Sequence, residues 1–377
     1  MLEITSAEGI YMFDAEGKEY IDLISGIGVS NVGHRHPKVV DAIKEQVDNH
    51  LHVMVYGEFV QSPQVKLAHA ISTTLPEKMD AVYLVNSGSE AIEGAMKLAK
   101  RYTGRSKIVA CHDAYHGSSH GALSLTGSES FKQNYRPLLP GISHVEFGST
   151  DQLNQINEET AAFVVETVQG EAGVRYADTN YWKAVEKKCK ETGTLLILDE
   201  IQCGFGRTGR FWAFEHYDIQ PDILVSAKGM GGGMPIGCFI SKMEIMQVFT
   251  NNPVLGHIST FGGHPVSSAA SLATLQVIEN EQLLRDIDRK EQLFHKLLKH
   301  PKIKAIRSKG LMMAIEFESY DVLKPLIDRA IELGVVTDWF LFNDQSMRIA
   351  PPLIITMDEI KKACKIILQA IDDVFPR

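Results

Sequence analysis

The chain predicts an α/β fold: a large domain on a mostly parallel sheet over residues 41–265, and a smaller α+β domain made from 1–40 and 266–377. Three observations predict it. From about Ile71 onward, short β-branched apolar runs alternate with stretches of helical spacing, as the strands of a parallel sheet alternate with their crossover helices. The last third changes character, with long helical stretches leading into isolated strand candidates. At 377 residues, 44% hydrophobic and 23% charged, the chain exceeds one typical domain and has the ordinary mix of a globular protein.

The elements follow in order. Residues 10–21 read as a hairpin turning at Glu16-Gly17, expected to pack on the small domain. Ala81-Val-Tyr-Leu-Val is a strand and Ser89 to Tyr102 a helix with apolar face Ile92, Ala95, Met96 and Ala99. Lys107-Ile-Val-Ala-Cys, Ala162-Phe-Val-Val, Thr194-Leu-Leu-Ile-Leu, Ile223-Leu-Val and Ile236-Gly-Cys-Phe-Ile are further buried strands. Between them, Trp182, Val185 and Cys189 mark a helix that Gly193 stops. Val266 to Glu279 and Gln282 to Lys299 read as helices, Met312 to Phe317 and Met347-Arg-Ile as strands. Asp321 to Leu333 is a helix ended by Gly334. Thr356-x-x-Glu359 is a capping box that opens a last helix through Asp373.

Composition narrows the function. With 38 Lys+Arg against 47 Asp+Glu, the net charge is -9, which argues against a surface for polyanions such as nucleic acid. No run approaches the roughly eighteen apolar residues of a membrane span, and no membrane partner is expected. The first residues lack the basic start and apolar stretch of a secretory signal, and the five scattered cysteines form no C-x-x-C pair. A cytoplasmic protein with reduced thiols is expected.

Three segments carry chemistry. Asn86-Ser-Gly-Ser-Glu90 joins a strand to a helix start, where backbone amides at Gly88, Ser89 and Glu90 and the helix dipole favour an anion; Ser87-x-x-Glu90 also spells a capping box, and an ordinary helix cap would use the same letters. Asp199 ends the apolar run Leu196-Ile-Leu, where open α/β sheets build their ligand crevice. Burying its carboxylate demands a partner, with Arg207 or Arg210 as structural candidates. Lys228 stands at the tip of Ile223-Leu-Val-Ser-Ala, ahead of a glycine run, where burial lowers the pKa of an amine and makes it nucleophilic; a lysine snorkelling to water would fit the same letters. A P-loop would place the lysine after its glycines. Together the three offer a phosphate cradle, an anion for a pyridine nitrogen and an amine for an aldehyde, the parts that pyridoxal phosphate needs.

Nearly end to end, from Gly9-Ile-Tyr and Gly33-His-Arg-His-Pro37 to Arg348-Ile-Ala-Pro-Pro-Leu, the chain resembles the class III pyridoxal-phosphate aminotransferases. The subgroup is that of acetylornithine, ornithine and 4-aminobutyrate aminotransferases. The most specific stretch is Leu198-Asp-Glu-Ile-Gln-Cys-Gly-Phe-Gly-Arg-Thr-Gly209, with Lys228 following at family spacing. The resemblance implies fold type I of the pyridoxal-phosphate transferases, with pyridoxal 5'-phosphate bound in the 41–265 domain. It makes Lys228 the Schiff-base lysine and proton shuttle, and pairs Asp199 with the pyridine nitrogen. Gln202 touches the ring hydroxyl, Gly88 and Ser89 hold the phosphate, and Tyr115 stacks on the ring. Thr260 reaches the cofactor phosphate of the partner subunit, which implies a homodimer with shared sites.

The same resemblance reads Glu171 as a switch that masks Arg348 while an ω-amine is bound and moves aside when 2-oxoglutarate brings its carboxylate; a purely structural Glu–Arg bridge is the alternative. Ser259 lies beside the substrate tail. The implied reaction is ping-pong ω-amino transfer from a small-molecule donor to a 2-oxo acid. The leading donor is an ornithine derivative, acetylornithine-like; 4-aminobutyrate or another ω-amino acid is the alternative, with an aminomutase behind it. Two departures stand out. Acetylornithine and ornithine aminotransferases usually carry Arg after Phe-His-Gly, whereas here Tyr115-His-Gly is followed by Ser118. That removes a charge-assisted contact of about 1.5–3 kcal/mol, for which Arg136 or Lys132 could substitute. His264 stands where Asn is common in Gly-Gly-Asn-Pro.

Two further patterns point elsewhere. Gly204-Phe-Gly-Arg-Thr-Gly209 spells a dinucleotide fingerprint and so a nicotinamide oxidoreductase, but no clean amphipathic helix follows it. His112, His116 and His120 share helical spacing, yet Gly117 and the Ser118-Ser119 pair interrupt it and no metal is expected.

Overall fold

Fifteen strands make three sheets in a computed structural model that describes residues 2–54, 59–76 and 78–376. In chain order they are β1 (Ile4–Glu8), β2 (Tyr11–Asp14), β3 (Glu19–Asp22), β4 (Ala81–Val85), β5 (Lys107–Cys111), β6 (Ile142–Val145), β7 (Thr160–Glu166) and β8 (Leu195–Asp199). β9 (Ile223–Ser226), β10 (Gly237–Ser241), β11 (Ala305–Ser308), β12 (Met313–Glu316), β13 (Val335–Val336), β14 (Trp339–Phe340) and β15 (Asn343–Ile349) follow.

The large sheet has seven strands in the order β4-β10-β9-β8-β7-β5-β6. Every pair from β9 to β6 is parallel, and β10 alone runs antiparallel, between β4 and β9. Both faces are covered, which explains the unbroken apolar runs. In β7 and β8, Phe163, Val165, Leu196 and Leu198 enter one core while their neighbours Ala162, Val164, Leu195 and Ile197 enter another. Helix Gly88–Thr103 buries Ile92, Ala95 and Ala99 on the second face. Helices Pro37–Asn49 and Ser62–Thr73 cover the first, and Pro265–Asn280 joins them there through Ala270, Leu275 and Ile278. By its packing, that helix extends the large layer past residue 265.

A third core lies beneath the four-stranded antiparallel sheet β11-β12-β15-β14. Helices Ile287–Leu297, Tyr320–Glu332 and Met357–Val374 supply Phe294, Leu326 and Ile367 to it. Ile10, Ile21 and Leu23 from the N-terminal hairpin enter the same core, because β3 pairs parallel with β13 and closes the sheet β1-β2-β3-β13. Punctuation read from the letters operates here. Gly193 ends its helix in the left-handed region, and the Thr356/Glu359 box is fully formed. No described helix is long and apolar enough to cross a membrane.

Candidate active site

Because β4, β5, β7, β8 and β9 point the same way, the loops leaving their C-terminal ends gather along one edge of the large sheet. A cavity of about 440 Å³ opens there, within the range of roughly 300–1,000 Å³ typical of ligand sites. Asp199 and Lys228 both line it.

Asp199 is the last residue of β8 and is buried, opposite Glu166 in β7. Its Oδ1 accepts from the Ile201 amide at 2.9 Å, and its Oδ2 lies 2.8 Å from His116 Nδ1. The expected arginine partners are elsewhere. Arg207 is turned into the protein, donating to Asn31 Oδ1 and to the carbonyls of Leu311 and Pro351, and Arg210 is exposed. A histidine suits the place better, because its short flat ring reaches the carboxylate from the loop after β5 while its Nε2 remains buried without a protein partner.

Lys228 stands two residues after the end of β9, in a short 3₁₀ turn, with φ at 46°, a left-handed conformation costly for a side chain with a Cβ. Burial pushes its ammonium below the usual lysine range, with Arg348 adding to the push while Glu171 and Asp199 oppose it. Gly88 and Ser89 line the cavity at the start of their helix. Ser87 caps that helix by accepting from Glu90 N at 3.2 Å, but the Glu90 carboxylate accepts from Asn86 N at 2.7 Å, one residue beyond the box read from the letters. A Cβ on Gly88 would meet Ile201 Cδ1 at 2.8 Å, so the glycine lets the helix start close onto the turn after Asp199.

Tyr115 and Gln202 also line the cavity. The Tyr115 hydroxyl lies 3.1 Å from Ser118 Oγ. Gln202 Nε2 donates to Glu171 Oε1 at 3.0 Å, linking the cavity to a buried ion pair. In that pair Glu171 takes both ends of the Arg348 guanidinium, at 3.0 and 2.9 Å, and Arg348 Nε donates to Asp338 Oδ1 at 2.8 Å. Burial pushes the Glu171 carboxyl up, but the guanidinium outweighs it and brings the pKa down to about 2.

Ser259 and Thr260 do not line the cavity of their own chain. Ser259 Oγ accepts from Asn86 Nδ2 at the rim, and the exposed Thr260 offers its carbonyl to His52. Neither Arg136 nor Lys132 stands in for the missing arginine, since both turn to Glu129 outside the cavity. His264 Nδ1 accepts from Val266 N at 3.3 Å and so caps helix Pro265–Asn280, the task an asparagine would perform there.

The histidine series diverges: His116 goes to Asp199, His120 to the Pro137 carbonyl, and His112 stacks near His144. The glycine fingerprint closes on protein. A Cβ at Gly206 would meet Leu284 at 2.4 Å, and the loop runs into a 3₁₀ turn at Ala213–His216.

Sequence reasoning missed two groups. Glu166 ends a buried strand as Asp199 does, and accepts from the Tyr115 and Gly170 amides at 3.3 Å each. Burial, then the Asp199 charge, raises its pKa well above the carboxylate range. The strand-end carboxylate that exposed Asp199 was the available signal. Asp338 carried none, since its role depends on a hairpin partner ten positions along the chain.

Comparison with known proteins agrees with this geometry. The family model described as aminotransferase class-III matches residues 1–371. An acetylornithine aminotransferase of Archaeoglobus fulgidus is 40% identical over 97% of this chain and 94% of its own. A [LysW]-aminoadipate semialdehyde/glutamate semialdehyde transaminase of Sulfolobus acidocaldarius is 36% identical over 98% and 95%. Among solved structures, an ornithine aminotransferase of Toxoplasma gondii, reported with partial occupancy of PLP at its active site, superposes with a TM-score of 0.92. It is 29% identical over 99% of this chain and 90% of its own. With the family model spanning nearly every residue and the cavity standing where the strands end, this chain belongs to the class III aminotransferases.

Proposed function

We propose that the enzyme transfers an ω-amino group from an ornithine derivative, acetylornithine-like, to 2-oxoglutarate by a ping-pong mechanism, using pyridoxal 5'-phosphate. We place it in the cytoplasm as a homodimer. The observation that carries the reading is the meeting of Lys228 and Asp199 on the wall of one cavity, to which Gln202 links the Glu171–Arg348 pair. The residues present fit the cofactor: a helix start for a phosphate, a buried carboxylate for a ring nitrogen, an amine of lowered pKa, and an unpartnered His116 Nε2.

When bound, pyridoxal phosphate supplies an aldehyde for amines and a ring that draws electrons from the carbon beside the nitrogen. Lys228 Nζ would hold the cofactor between turnovers and, once displaced by the donor, would take up and pass on the proton lost from the amine-bearing carbon. Asp199 would keep the ring nitrogen protonated, with His116 steadying Asp199. Gly88 and Ser89 would hold the phosphate, Tyr115 the ring face and Gln202 the ring hydroxyl. Thr260 would reach the phosphate held by the partner subunit. Glu171 screens Arg348 while the donor is present and yields it to the carboxylate of the oxo acid, with Ser259 beside the substrate tail.

A second reading, 4-aminobutyrate or another ω-amino acid as donor, draws support from Ser118. It puts a hydroxyl beside Tyr115 where the ornithine-type enzymes place a guanidinium, and among the described cavity-lining residues Lys228 and His116 are the basic ones. A panel of ω-amino donors with 2-oxoglutarate, followed by product identification, tests both readings. Acetylornithine is expected to give glutamate, and Lys228→Ala to give none. Wild-type turnover by Lys228→Ala, or turnover independent of any 2-oxo acid, would overturn the proposal.

A further inference from the structure

Arg348 has five N–H donors in a planar fork, and its partners fall on two sides of the guanidinium. Nη1 and Nη2 face the two Glu171 oxygens, at 3.0 and 2.9 Å. Nη2 also donates to the Trp339 carbonyl at 3.2 Å, Nε donates to Asp338 Oδ1 at 2.8 Å, and the guanidinium carbon lies 4.3 Å from the Phe340 ring centre. These contacts sort by element. Glu171 stands in the loop after β7, whereas Asp338, Trp339 and Phe340 belong to the same hairpin as Arg348, whose own amide donates to the Asp338 carbonyl at 2.8 Å. Departure of Glu171 would therefore strip one fork from the guanidinium and leave the other side held.

We propose that Asp338 is a positioning residue for the acceptor half of the reaction. It pins the Nε edge of Arg348 to the β14–β15 hairpin, so that the other two nitrogens keep facing the cavity side when Glu171 moves away, and a carboxylate finds one preformed bidentate fork. Arginine side chains carry large rotamer freedom, and a guanidinium ordered in advance loses less of it on binding. The buried pair also makes the gate tight: Glu171 Oε2 accepts from the Leu341 amide at 3.1 Å as well as from Arg348. An unpinned Arg348 would follow Glu171 out of place. Asp338 does not line the cavity that holds Lys228, so the donor half is expected to run without it.

This inference rests on the reading of Arg348 as the carboxylate site, and the experiment separates the two. Glutarate, a dicarboxylate that cannot react, is titrated into holoenzyme by calorimetry, and the two half-reactions are followed separately by cofactor absorbance. Asp338→Ala is expected to weaken glutarate binding and raise KM for 2-oxoglutarate about tenfold, with the donor half-reaction within about twofold of wild type. Asp338→Asn, which keeps an acceptor oxygen for Nε, should recover most of the loss. Unchanged glutarate affinity in Asp338→Ala, equal losses in both halves, or no recovery by asparagine would overturn the proposal. If Arg348→Lys also leaves glutarate binding untouched, the carboxylate-site reading itself fails.

Discussion

The Glu171 carboxyl sits between two opposing pulls: burial favours its neutral form, and the Arg348 guanidinium favours its charge and wins. Its folded pKa of about 2 lies below the ordinary value of 4.5, so the group adds stability that is complete above that value and is lost as pH falls through the folded pKa. At 1.36 kcal/mol per unit the contribution is about 3 kcal/mol. Glu171→Gln is expected to be less stable than wild type by about that amount near pH 6, with the gap closing toward pH 2, in denaturant titrations across the range. A gap constant with pH would contradict the assignment. Lys228 and Asp199 were legible at this scale because strand ends and glycine runs leave marks in the letters, whereas Gln202 entered only through the family resemblance. His116 stands out in the letters only for a spacing that does not hold up as a metal face, and its carboxylate partner lies 83 positions away, where no local pattern records it.

The turn after β5 shows what one element contributes. Gly117 adopts φ at 130°, open to glycine alone, and a Cβ there would fall 2.1 Å from Ser89 Oγ at the helix start. Its neighbour Ser118 donates its amide to that same oxygen at 3.1 Å. Gly117→Ala is therefore expected to cost about 1–3 kcal/mol of stability and to weaken cofactor binding at least about tenfold, read by titrating apoenzyme with pyridoxal phosphate. Elements themselves were largely legible: buried parallel strands read as apolar runs, and glycines and capping residues mark helix ends within a residue or two, whereas the helix expected from Gln282, with no cap in the letters, begins at Ile287 after a run of turns. The Ser87/Glu90 box slipped because Glu90 found a better donor, the Asn86 amide and side chain, upstream of the cap. His264 became legible as a cap only once helix Pro265–Asn280 was seen to begin behind it.

Across the whole molecule, Arg207 fastens the large layer to the small one. From the glycine-rich loop it reaches Asn31, the Leu311 carbonyl before β12 and the Pro351 carbonyl after β15. Arg207→Met would orphan these acceptors in a buried place, and a loss on the order of 3 kcal/mol is expected from the urea midpoint, with no gain or loss of dinucleotide binding. Topology was the least legible level. That β10 enters antiparallel between β4 and β9, or that β3 pairs with β13 from the other end of the chain, follows from long-range hydrogen bonding that no window of sequence contains. Lys228 then acquires a second meaning. Burial disfavours its ammonium and its backbone is twisted, so a glycine in its place would relieve both costs. The polypeptide carries its reactive nitrogen as a standing thermodynamic debt, held in place by everything packed around it.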